Sequence, residues 1–345
     1  MLKIAQQSLP QLWAALAEIG ELYVPVKNKA GKTDFAQYTE QAVVDLETHL
    51  TAKSLKDMFF PQVENMLAFQ TEGKHLAIEM AAPAERTTIA FGVRACDARS
   101  FEILDKVFLK DPVDTYYQTR RTQSILIGLG CSAPEETCFC GTFGIDATKP
   151  ATDVVTWLVG TELYWEPVTE KGKELTAKLE ALFTAVADKA AVEAQQQTTK
   201  AILKALPLGD FRIAEKIPAD ELKTFNSKVW PELASGCLSC CSCTYVCPTC
   251  HCYDIRDYKV SDDRTERFRC WDSCMNKEFT KMAAVNPRKT KVERFRQRYM
   301  HKLVYFPENN EGTFACVGCG RCLAKCPVHL NIVKVAKALE VTKDV

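Results

Sequence analysis

Periodic and alternating apolar positions divide the first half of the chain into short helices and strands. Pro10 to Ile19 has apolar residues at helical spacing, and ELYVPV at 21–26 has the pattern of a strand. TTIAFGV at 87–93 and SILIGLG at 124–130 are apolar runs of the length of buried strands, with helical FEILDKVF between them. VVTWLV and ELYWEPV flank Gly160-Thr161, which indicates a hairpin. This order of elements predicts an α/β core.

The second half lacks strand-like alternation. Helical spacing is present in ADELKTFNSKVWPEL, EFTKMAAV, TKVERFRQRYMHKLVYF and NIVKVAKALE, and cysteine-bearing turns separate these segments. Between the halves, Glu170 to Leu206 has strong helix propensity with a polar interruption at QQQTTK. We therefore predict an α/β domain over residues 1–205 and an all-α domain over residues 206–345.

Length and composition restrict the class of protein. A chain of 345 residues can form two domains with separate cores, and its 44 basic and 44 acidic residues favour no polyanion or membrane surface. No 18 uncharged apolar residues run together, and the N-terminus lacks the pattern of a signal peptide. We expect a cytoplasmic protein without a membrane span. In that reducing compartment, 17 cysteines favour metal binding over disulfides.

Thirteen of the cysteines lie between residues 237 and 326, where one spacing occurs twice. CLSCCSCTYVCP and CVGCGRCLAKCP both contain C-x2-C-x2-C-x3-C-P, the bacterial-ferredoxin spacing for [4Fe-4S] clusters. A tight turn with a thiol at every third residue can surround three corners of a cubane, and the proline frees the fourth cysteine to reach elsewhere. The thiols of the two runs are Cys237, Cys240, Cys243 and Cys247, and Cys316, Cys319, Cys322 and Cys326.

Two-cluster ferredoxins exchange the fourth ligand between runs. The exchange predicts one cluster on Cys237, Cys240, Cys243 and Cys326, and a second on Cys316, Cys319, Cys322 and Cys247. Two structural zinc sites are the alternative, although such sites usually use two C-x2-4-C pairs and not a triple run. Cys241 has no place in the pattern and is expected to be a small buried residue.

A further group of cysteines lies between the two runs. PTCHCYD holds Cys250 and Cys252, and RFRCWDSCMN holds Cys270 and Cys274. A C-x-C pair and a C-x3-C pair could form a fourth four-thiolate site, with His251 a weaker candidate ligand. The alternative is that these cysteines only line the helices around the two clusters.

The remaining cysteines of the first half follow its two apolar strands. Cys96 comes directly after TTIAFGV, and Cys131, Cys138 and Cys140 come after SILIGLG. The carboxyl ends of strands are where α/β sheets place their ligands, so these four thiols could form a third metal site. His49 has no motif around it and is expected to be an ordinary surface or core residue.

Residues 264–302 are strongly basic, with 12 Lys and Arg against four Asp and Glu. Nucleic-acid binding is one interpretation. However, an oxidised [4Fe-4S] centre with four thiolates is anionic, and nearby cations stabilise it and raise its potential. Because no aromatic-interleaved recognition motif is present, compensation of cluster charge or a docking face is favoured, and no nucleic-acid partner is expected.

The motifs together resemble a known family. FGVRACDARSFEILDKVF, CSAPEETCFCGTFG, CPTCHCYD, FRCWDSCMNKEFT, NPRKTKVERFRQRYMHK and FACVGCGRCLAKCP resemble the iron-sulfur beta subunits of soluble sulfhydrogenases. The chain is also similar to the corresponding iron-sulfur subunit of anaerobic sulfite reductase and to related subunits of flavin-linked oxidoreductase complexes. The likeness extends from about Val24 to Ile332. The paired motifs with a long insertion resemble the helical ferredoxin domain of succinate dehydrogenase iron-sulfur subunits.

This resemblance implies a non-catalytic relay. Such a protein passes electrons between two partner subunits, one that contains FAD and oxidises NAD(P)H, and one that is a catalytic oxidoreductase. The predicted fold class is α+β, with an N-terminal α/β domain followed by an all-α helical dicluster ferredoxin domain. We expect two [4Fe-4S] clusters and up to four. An alternative is a thiol or disulfide reductase that uses Cys96 and the CFC motif, and a weaker one is a redox-sensing nucleic-acid binder.

Overall fold

The computed structural model describes residues 1–81, 86–218 and 220–340. The strands in this part of the chain are β1 Leu2–Ala5, β2 Glu21–Lys27, β3 Thr33–Gln37, β4 Val63–Glu72, β5 His75–Met80, β6 Thr88–Val93, β7 Ser124–Leu129, β8 Val154–Val159, β9 Glu162–Pro167, β10 Thr184–Ala185, β11 Tyr253–Lys259 and β12 Arg264–Trp271. The α-helices are α1 Leu9–Ile19, α2 Ala95–Phe108, α3 Thr115–Gln123, α4 Glu170–Lys178, α5 Ala190–Ala205, α6 Ile213–Lys216, α7 Glu221–Phe225, α8 Val229–Ser235, α9 Ser242–Tyr245, α10 Lys291–Met300, α11 Phe306–Asn309, α12 Arg321–Ala324 and α13 Ile332–Glu340. A π-helix, His301–Tyr305, joins α10 to α11, and short 3-10 turns span Gln6–Ser8, Leu55–Met58, Cys140–Phe143 and Glu180–Leu182.

An eight-stranded sheet forms the core of the first half. Its strand order is β10-β1-β9-β8-β7-β6-β2-β3, and β2, β6, β7 and β8 are parallel neighbours. The predicted helix at 10–19, both apolar strands and the hairpin at Gly160-Thr161 are confirmed. Phe91, Ile127 and Trp165 are fully buried in this sheet, as expected for strands covered on both faces.

The second half is not all-α, so the predicted fold class is wrong. Strands β11 and β12 form an antiparallel hairpin that pairs with β4, which gives a four-stranded sheet in the order β11-β12-β4-β5. This sheet contains strands from both sides of the boundary predicted at residue 205, and the division into domains stays a prediction. EFTKMAAV, expected to be helical, forms turns and bends.

Charge and exposure explain why the sequence pattern does not reveal this hairpin. Most of β11 is exposed, and its cross-strand contacts include ion pairs such as Arg267 Nε to Asp257 Oδ1 at 2.7 Å. The strands therefore lack the apolar alternation of a half-buried sheet. At its other end the hairpin is fixed to the α/β core, where the buried Arg269 pairs with Glu64 and Asp114.

Helices α8, α10 and α13 pack into an apolar cluster that supports the cysteine loops. Trp230, Phe295 and Val335 are almost fully buried there. A reciprocal capping box of Thr290 and Glu293 begins α10, and this helix and α13 confirm two of the predicted helices. The polar QQQTTK segment at residues 195–200 lies within α5, and the helical stretch of 170–206 is divided between α4 and α5.

Candidate metal centres

The first cysteine run forms a tight loop beside a small cavity. Ser239 and Cys241 adopt left-handed backbone conformations, with φ of 53° and 62°, which are uncommon for residues other than glycine. The thiols that line this cavity are Cys237, Cys240, Cys241, Cys243 and Cys326. Three spaced thiols of the first run thus share a cavity with the fourth thiol of the second run, as the exchanged arrangement requires. Their role as ligands stays a prediction.

One side of this cavity reaches the surface. Cys240 is exposed, and 63% of the neighbouring Leu238 side chain is open to solvent. Cys241, which the spacing leaves without a ligand role, is half-buried and donates its thiol hydrogen to Ser239 O at 3.5 Å. One edge of the first cavity is therefore exposed to solvent.

The second group of thiols lies deeper. Burial raises the pKa of Cys316, Cys319 and Cys322, and the charge of the nearby Cys247 adds to the rise for all three. Cys247 Sγ is 3.2 Å from Thr249 Oγ1, which itself donates to Ala315 O at 2.8 Å. The end of the first run is thus fixed to the residue that precedes Cys316. The four thiols predicted for the second cluster lie in one neighbourhood.

Two glycines let the second run approach the first half of the chain closely. Gly318 and Gly320 have φ of 61° and 79°, and a Cβ on either would lie 2.5 Å from a carbonyl oxygen, that of Phe139 or Thr137. Phe139 N donates to Gly318 O at 2.9 Å across this contact. Only glycine combines this conformation with this separation. The backbone of the second run therefore touches the segment that contains Cys138 and Cys140.

Buried cations face the thiols of both runs. Arg298 and Lys302 are 3% and 4% exposed, and within residues 1–81, 86–218 and 220–340 neither forms an ion pair with a carboxylate. Arg298 Nε donates to Cys243 Sγ at 3.1 Å, and Lys302 Nζ donates to Thr249 Oγ1 and Ala315 O at 2.8 Å each. Burial lowers the pKa of Lys302, but the charges of the nearby Cys247, Cys250 and Cys316 together outweigh it, and the net shift is upward. An uncompensated buried cation is costly, so these two side chains favour an anionic occupant beside the thiols.

The third group of thiols lies at the carboxyl ends of β6 and β7, which are parallel neighbours. Its cysteines line a single cavity together with Cys319 of the second run, and they are Cys96, Cys131, Cys138 and Cys140. Burial raises the pKa of Cys138 and Cys140 to about 12, so without a metal these thiols stay protonated at neutral pH. The structure therefore brings together the four residues predicted for a third site, and their binding of metal stays a prediction.

Arg94 and His49 support the wall of the third cavity. Arg94 is buried and donates to the carbonyl oxygens of Leu46, Thr48, Leu129 and Gly130. The neighbouring Cys131 and Cys96 are the charges that most oppose the lowering of its pKa by burial. His49 Nε2 lies 3.0 Å from the amides of Ser132 and Ala133 and accepts from both. His49 thus fixes the loop after Cys131 as a buried core histidine, in agreement with the expectation from sequence.

A buried ion pair lies between the second and third groups. Arg321 donates to both carboxylate oxygens of Asp97 at 2.7 Å, and both side chains are 1% exposed. Arg321 also donates to Thr51 O at 3.0 Å and to Thr51 Oγ1 at 2.8 Å. Because Asp97 follows Cys96 on α2 and Arg321 lies two residues after Cys319, this pair fixes the two thiol groups relative to each other.

The cysteines between the runs are only partly brought together. Cys252 and Cys274 are close neighbours, as are Cys247 and Cys250, and within each pair the pKa of the first thiol is lowered and that of the second is raised. Cys270 pairs across the hairpin with Asp254, and its strongest charged neighbours are Arg256 and Asp254. Lys56 Nζ donates to Cys250 O at 3.0 Å and lies 3.8 Å from the centre of the Trp271 ring. Cys250, Cys252 and Cys274 therefore lie near a buried cation, whereas Cys270 faces the surface of the hairpin.

The basic stretch at 264–302 is divided between surface and interior. Four of its 12 cations are buried, and they are Arg269, Arg294, Arg298 and Lys302. Several others, such as Lys281 with Glu278, form exposed ion pairs. The sequence showed the excess of charge but not which cations face the thiols. The four-residue spacing of Arg294, Arg298 and Lys302 is the signal that could have identified them.

The thiol groups are defined by shared cavities and not by a closed ligand geometry. Among the residues described, no group of three or more His, Cys, Asp or Glu side chains is arranged to hold a metal ion, the thiols of both runs included. The cavities that the thiols line and the charges that they face therefore determine how they are grouped. None of the described helices is long and apolar enough to cross a membrane.

Comparison with known proteins identifies the class. A family model described as a 4Fe-4S dicluster domain matches residues 236–330, which include both cysteine runs. The chain is thus an iron-sulfur electron-transfer protein. It is 32% identical over 344 residues to sulfhydrogenase 2 subunit beta of Pyrococcus furiosus, and the alignment covers 96% of each chain. The chain belongs to the family of sulfhydrogenase beta subunits.

Proposed function

We propose that the chain is an electron relay with two [4Fe-4S] clusters in its dicluster domain. Cys237, Cys240, Cys243 and Cys326 would hold the first, and Cys316, Cys319, Cys322 and Cys247 the second. The observation that carries this proposal is the first cavity, which the three spaced thiols of one run share with the fourth thiol of the other. When bound, a [4Fe-4S] cluster accepts and releases one electron at a time.

The residues around the thiols suit this role. Arg298 and Lys302 supply buried positive charge beside ligands that are anionic as thiolates, so the folded chain favours the charged form of the site. Left-handed backbone at Ser239 and Cys241 positions the crowded thiols without a long loop. The apolar cluster of α8, α10 and α13 excludes water from the inner side of the first cavity.

The contacts between thiol groups support a route through the molecule. Cys240 brings the first cavity to the surface, and Arg298 faces both Cys243 of the first group and Cys322 of the second. Cys319 of the second group lines the third cavity. We therefore propose that electrons pass between the exposed edge at Cys240 and the third group by way of the second.

The proposal includes a third iron-sulfur centre on Cys96, Cys131, Cys138 and Cys140. Their shared cavity at the carboxyl ends of β6 and β7 supports it, as does the buried Arg94 cation beside them. For a fourth centre, the contacts of Cys252 with Cys274 and the position of Lys56 favour Cys250, Cys252 and Cys274 over Cys270 as ligands.

We also propose that the chain works with partner subunits. The similar Pyrococcus furiosus protein is named a beta subunit of a sulfhydrogenase. Two partners would match a route with two ends, one of them a flavin-containing, NAD(P)H-linked protein and the other a catalytic oxidoreductase. Anaerobic purification from the native source, with mass spectrometry of the proteins that co-elute, identifies those partners.

Iron and sulfide analysis tests the cluster assignment. The full chain, prepared without oxygen, should contain at least about eight iron atoms, and each additional cubane would add about four. Cys326→Ser should remove the electron paramagnetic resonance signal of the first cluster, because it takes a ligand from the first cavity. Cys241 lines the same cavity, so Cys241→Ser is the matched control, with unchanged iron expected. Equal loss in both variants, or zinc in place of iron, would contradict the assignment.

A further inference from the structure

Two buried polar atoms without partners line the first cavity. Ser239 Oγ and Arg298 Nη1 are inaccessible to solvent and have no hydrogen-bond partner among the described residues. Buried polar groups are nearly always satisfied, because one left unpaired loses its hydrogen bonds to water without replacement. Both atoms can donate, and both residues line the cavity that the four thiols share. Their missing acceptors therefore belong to whatever occupies that space.

The rest of the Arg298 side chain is held firmly. Its Nε donates to Cys243 Sγ and its Nη2 to Cys243 O, both at 3.1 Å, and its guanidinium carbon lies 4.9 Å from the centre of the Tyr299 ring. Only Nη1 remains without a partner in the described structure. Contacts within the chain thus orient the guanidinium, and its last donor has no described protein acceptor.

Ser239 presents two donors from the loop itself. Its backbone N–H donates to Cys237 Sγ at 3.4 Å, and its hydroxyl lines the same cavity. The left-handed conformation at φ 53° is unusual for serine, and glycine would adopt it with less strain. The turn alone does not require a hydroxyl here, so the Ser239 hydroxyl is available as a hydrogen-bond donor to the cavity.

We propose that Arg298 and Ser239 raise the reduction potential of the cluster held by Cys237, Cys240, Cys243 and Cys326, an inference that rests on the proposed function. Reduction adds one negative charge to the cluster, so a fixed cation and two aimed donors stabilise the reduced form more than the oxidised form. Because Arg298 also faces Cys322, the second cluster should respond in the same direction but less strongly.

Redox titration of the full chain, followed by electron paramagnetic resonance, tests the proposal. At the potential where the unaltered first cluster is half reduced, Arg298→Gln should lower the ratio of reduced to oxidised cluster about tenfold, or 59 mV for one electron. Ser239→Ala should lower it about threefold. Arg298→Lys keeps the positive charge, so the reduction potential of the first cluster should stay close to that of the unaltered chain. Arg294→Gln is the matched control, because Arg294 lies one turn earlier on α10 and donates only to backbone carbonyls.

Iron and sulfide content, measured on the same samples, separates this inference from the proposed function. Full iron with an unchanged potential in both Arg298→Gln and Ser239→Ala overturns the role of these donors and leaves the cluster assignment standing. Full iron in Cys243→Ser with an unchanged first signal overturns the assignment itself. If Arg298→Gln loses the first cluster, the reduction potential of that cluster in Ser239→Ala tests the proposal. A lower potential supports the proposal, and an unchanged potential refutes it.

Discussion

Replacement of Asp97 by Asn should reveal how strongly the second cysteine run is held against the first half of the chain. Asp97 accepts two hydrogen bonds of 2.7 Å from Arg321, and both side chains are 1% exposed, so water cannot replace the lost contact. Asn keeps the shape but removes the charge and places an amide N–H opposite the guanidinium. Loss of one partner from a buried pair costs about 3–5 kcal/mol. We expect a decrease of that size in the free energy of unfolding.

Urea denaturation of the anaerobic full chain, followed by tryptophan fluorescence, measures this change. Glu102→Gln is a matched control on the same helix, because Glu102 pairs with Arg99 where the two side chains are 41% and 38% exposed. An exposed pair of this kind contributes less than about 1 kcal/mol. Similar urea midpoints for Asp97→Asn and Glu102→Gln would refute the reasoning, because burial would then have no effect on how much an ion pair contributes to stability.

Three further outcomes follow from individual residues. Gly318→Ala should lower the urea midpoint more than Gly144→Ala. Both glycines have positive φ, but of the two only Gly318 would place a Cβ 2.5 Å from a backbone oxygen. Equal effects would contradict the close approach of the Gly318 backbone to Phe139. Burial and the Arg94 cation lower the pKa of His49 from 6.5 to about 4, so stability is complete above pH 6.5 and falls towards pH 4, by up to about 1.4 kcal/mol per pH unit. His49→Gln should reduce the loss in urea midpoint between pH 7 and pH 5, and an unchanged loss would exclude His49 as its source. Cys270→Ser should leave the iron content unchanged, because Cys270 faces Asp254 and Arg256 on the hairpin, and loss of about four iron atoms would make it a ligand.

The parts of the fold that sequence predicted are those that depend on burial. The strands at 87–93 and 124–130 are mainly apolar because both faces of the eight-stranded sheet are covered. Their pattern therefore identifies them without knowledge of the neighbouring strands. The hairpin at 253–271 depends instead on a partner strand, β4, about 200 residues earlier in the chain. Its exposed charged residues, such as Arg267, pair within the sheet, and the buried Arg269 pairs with Glu64 and Asp114, which are also distant in the chain. No local pattern in the second half could therefore predict this sheet.

The candidate site divides in the same way. Spacing predicted the thiols of the two runs because a short turn determines which cysteines can lie together. The first cavity contains three spaced thiols of one run and the fourth of the other, and their role as ligands stays a prediction. Charge alone could not select the cations beside them, since Arg298 and exposed Lys281 belong to one basic stretch. Only the repeated four-residue spacing of Arg294, Arg298 and Lys302 distinguishes them. Which of them is buried depends on how α10 packs against α8 and α13, and that packing involves residues distant in the chain.

The second cysteine run has a position that the first does not share. Through Cys326 it reaches the first cavity, through Cys319 it lines the third, and through Gly318 its backbone touches the segment that holds Cys138 and Cys140. A displacement of this run would therefore disturb all three thiol groups together. A displacement of the loop at Cys240 would disturb only the exposed end of the proposed route. Close backbone contact at Gly318 and the buried pair of Arg321 and Asp97 thus fix the inner part of the proposed route to the first half of the chain.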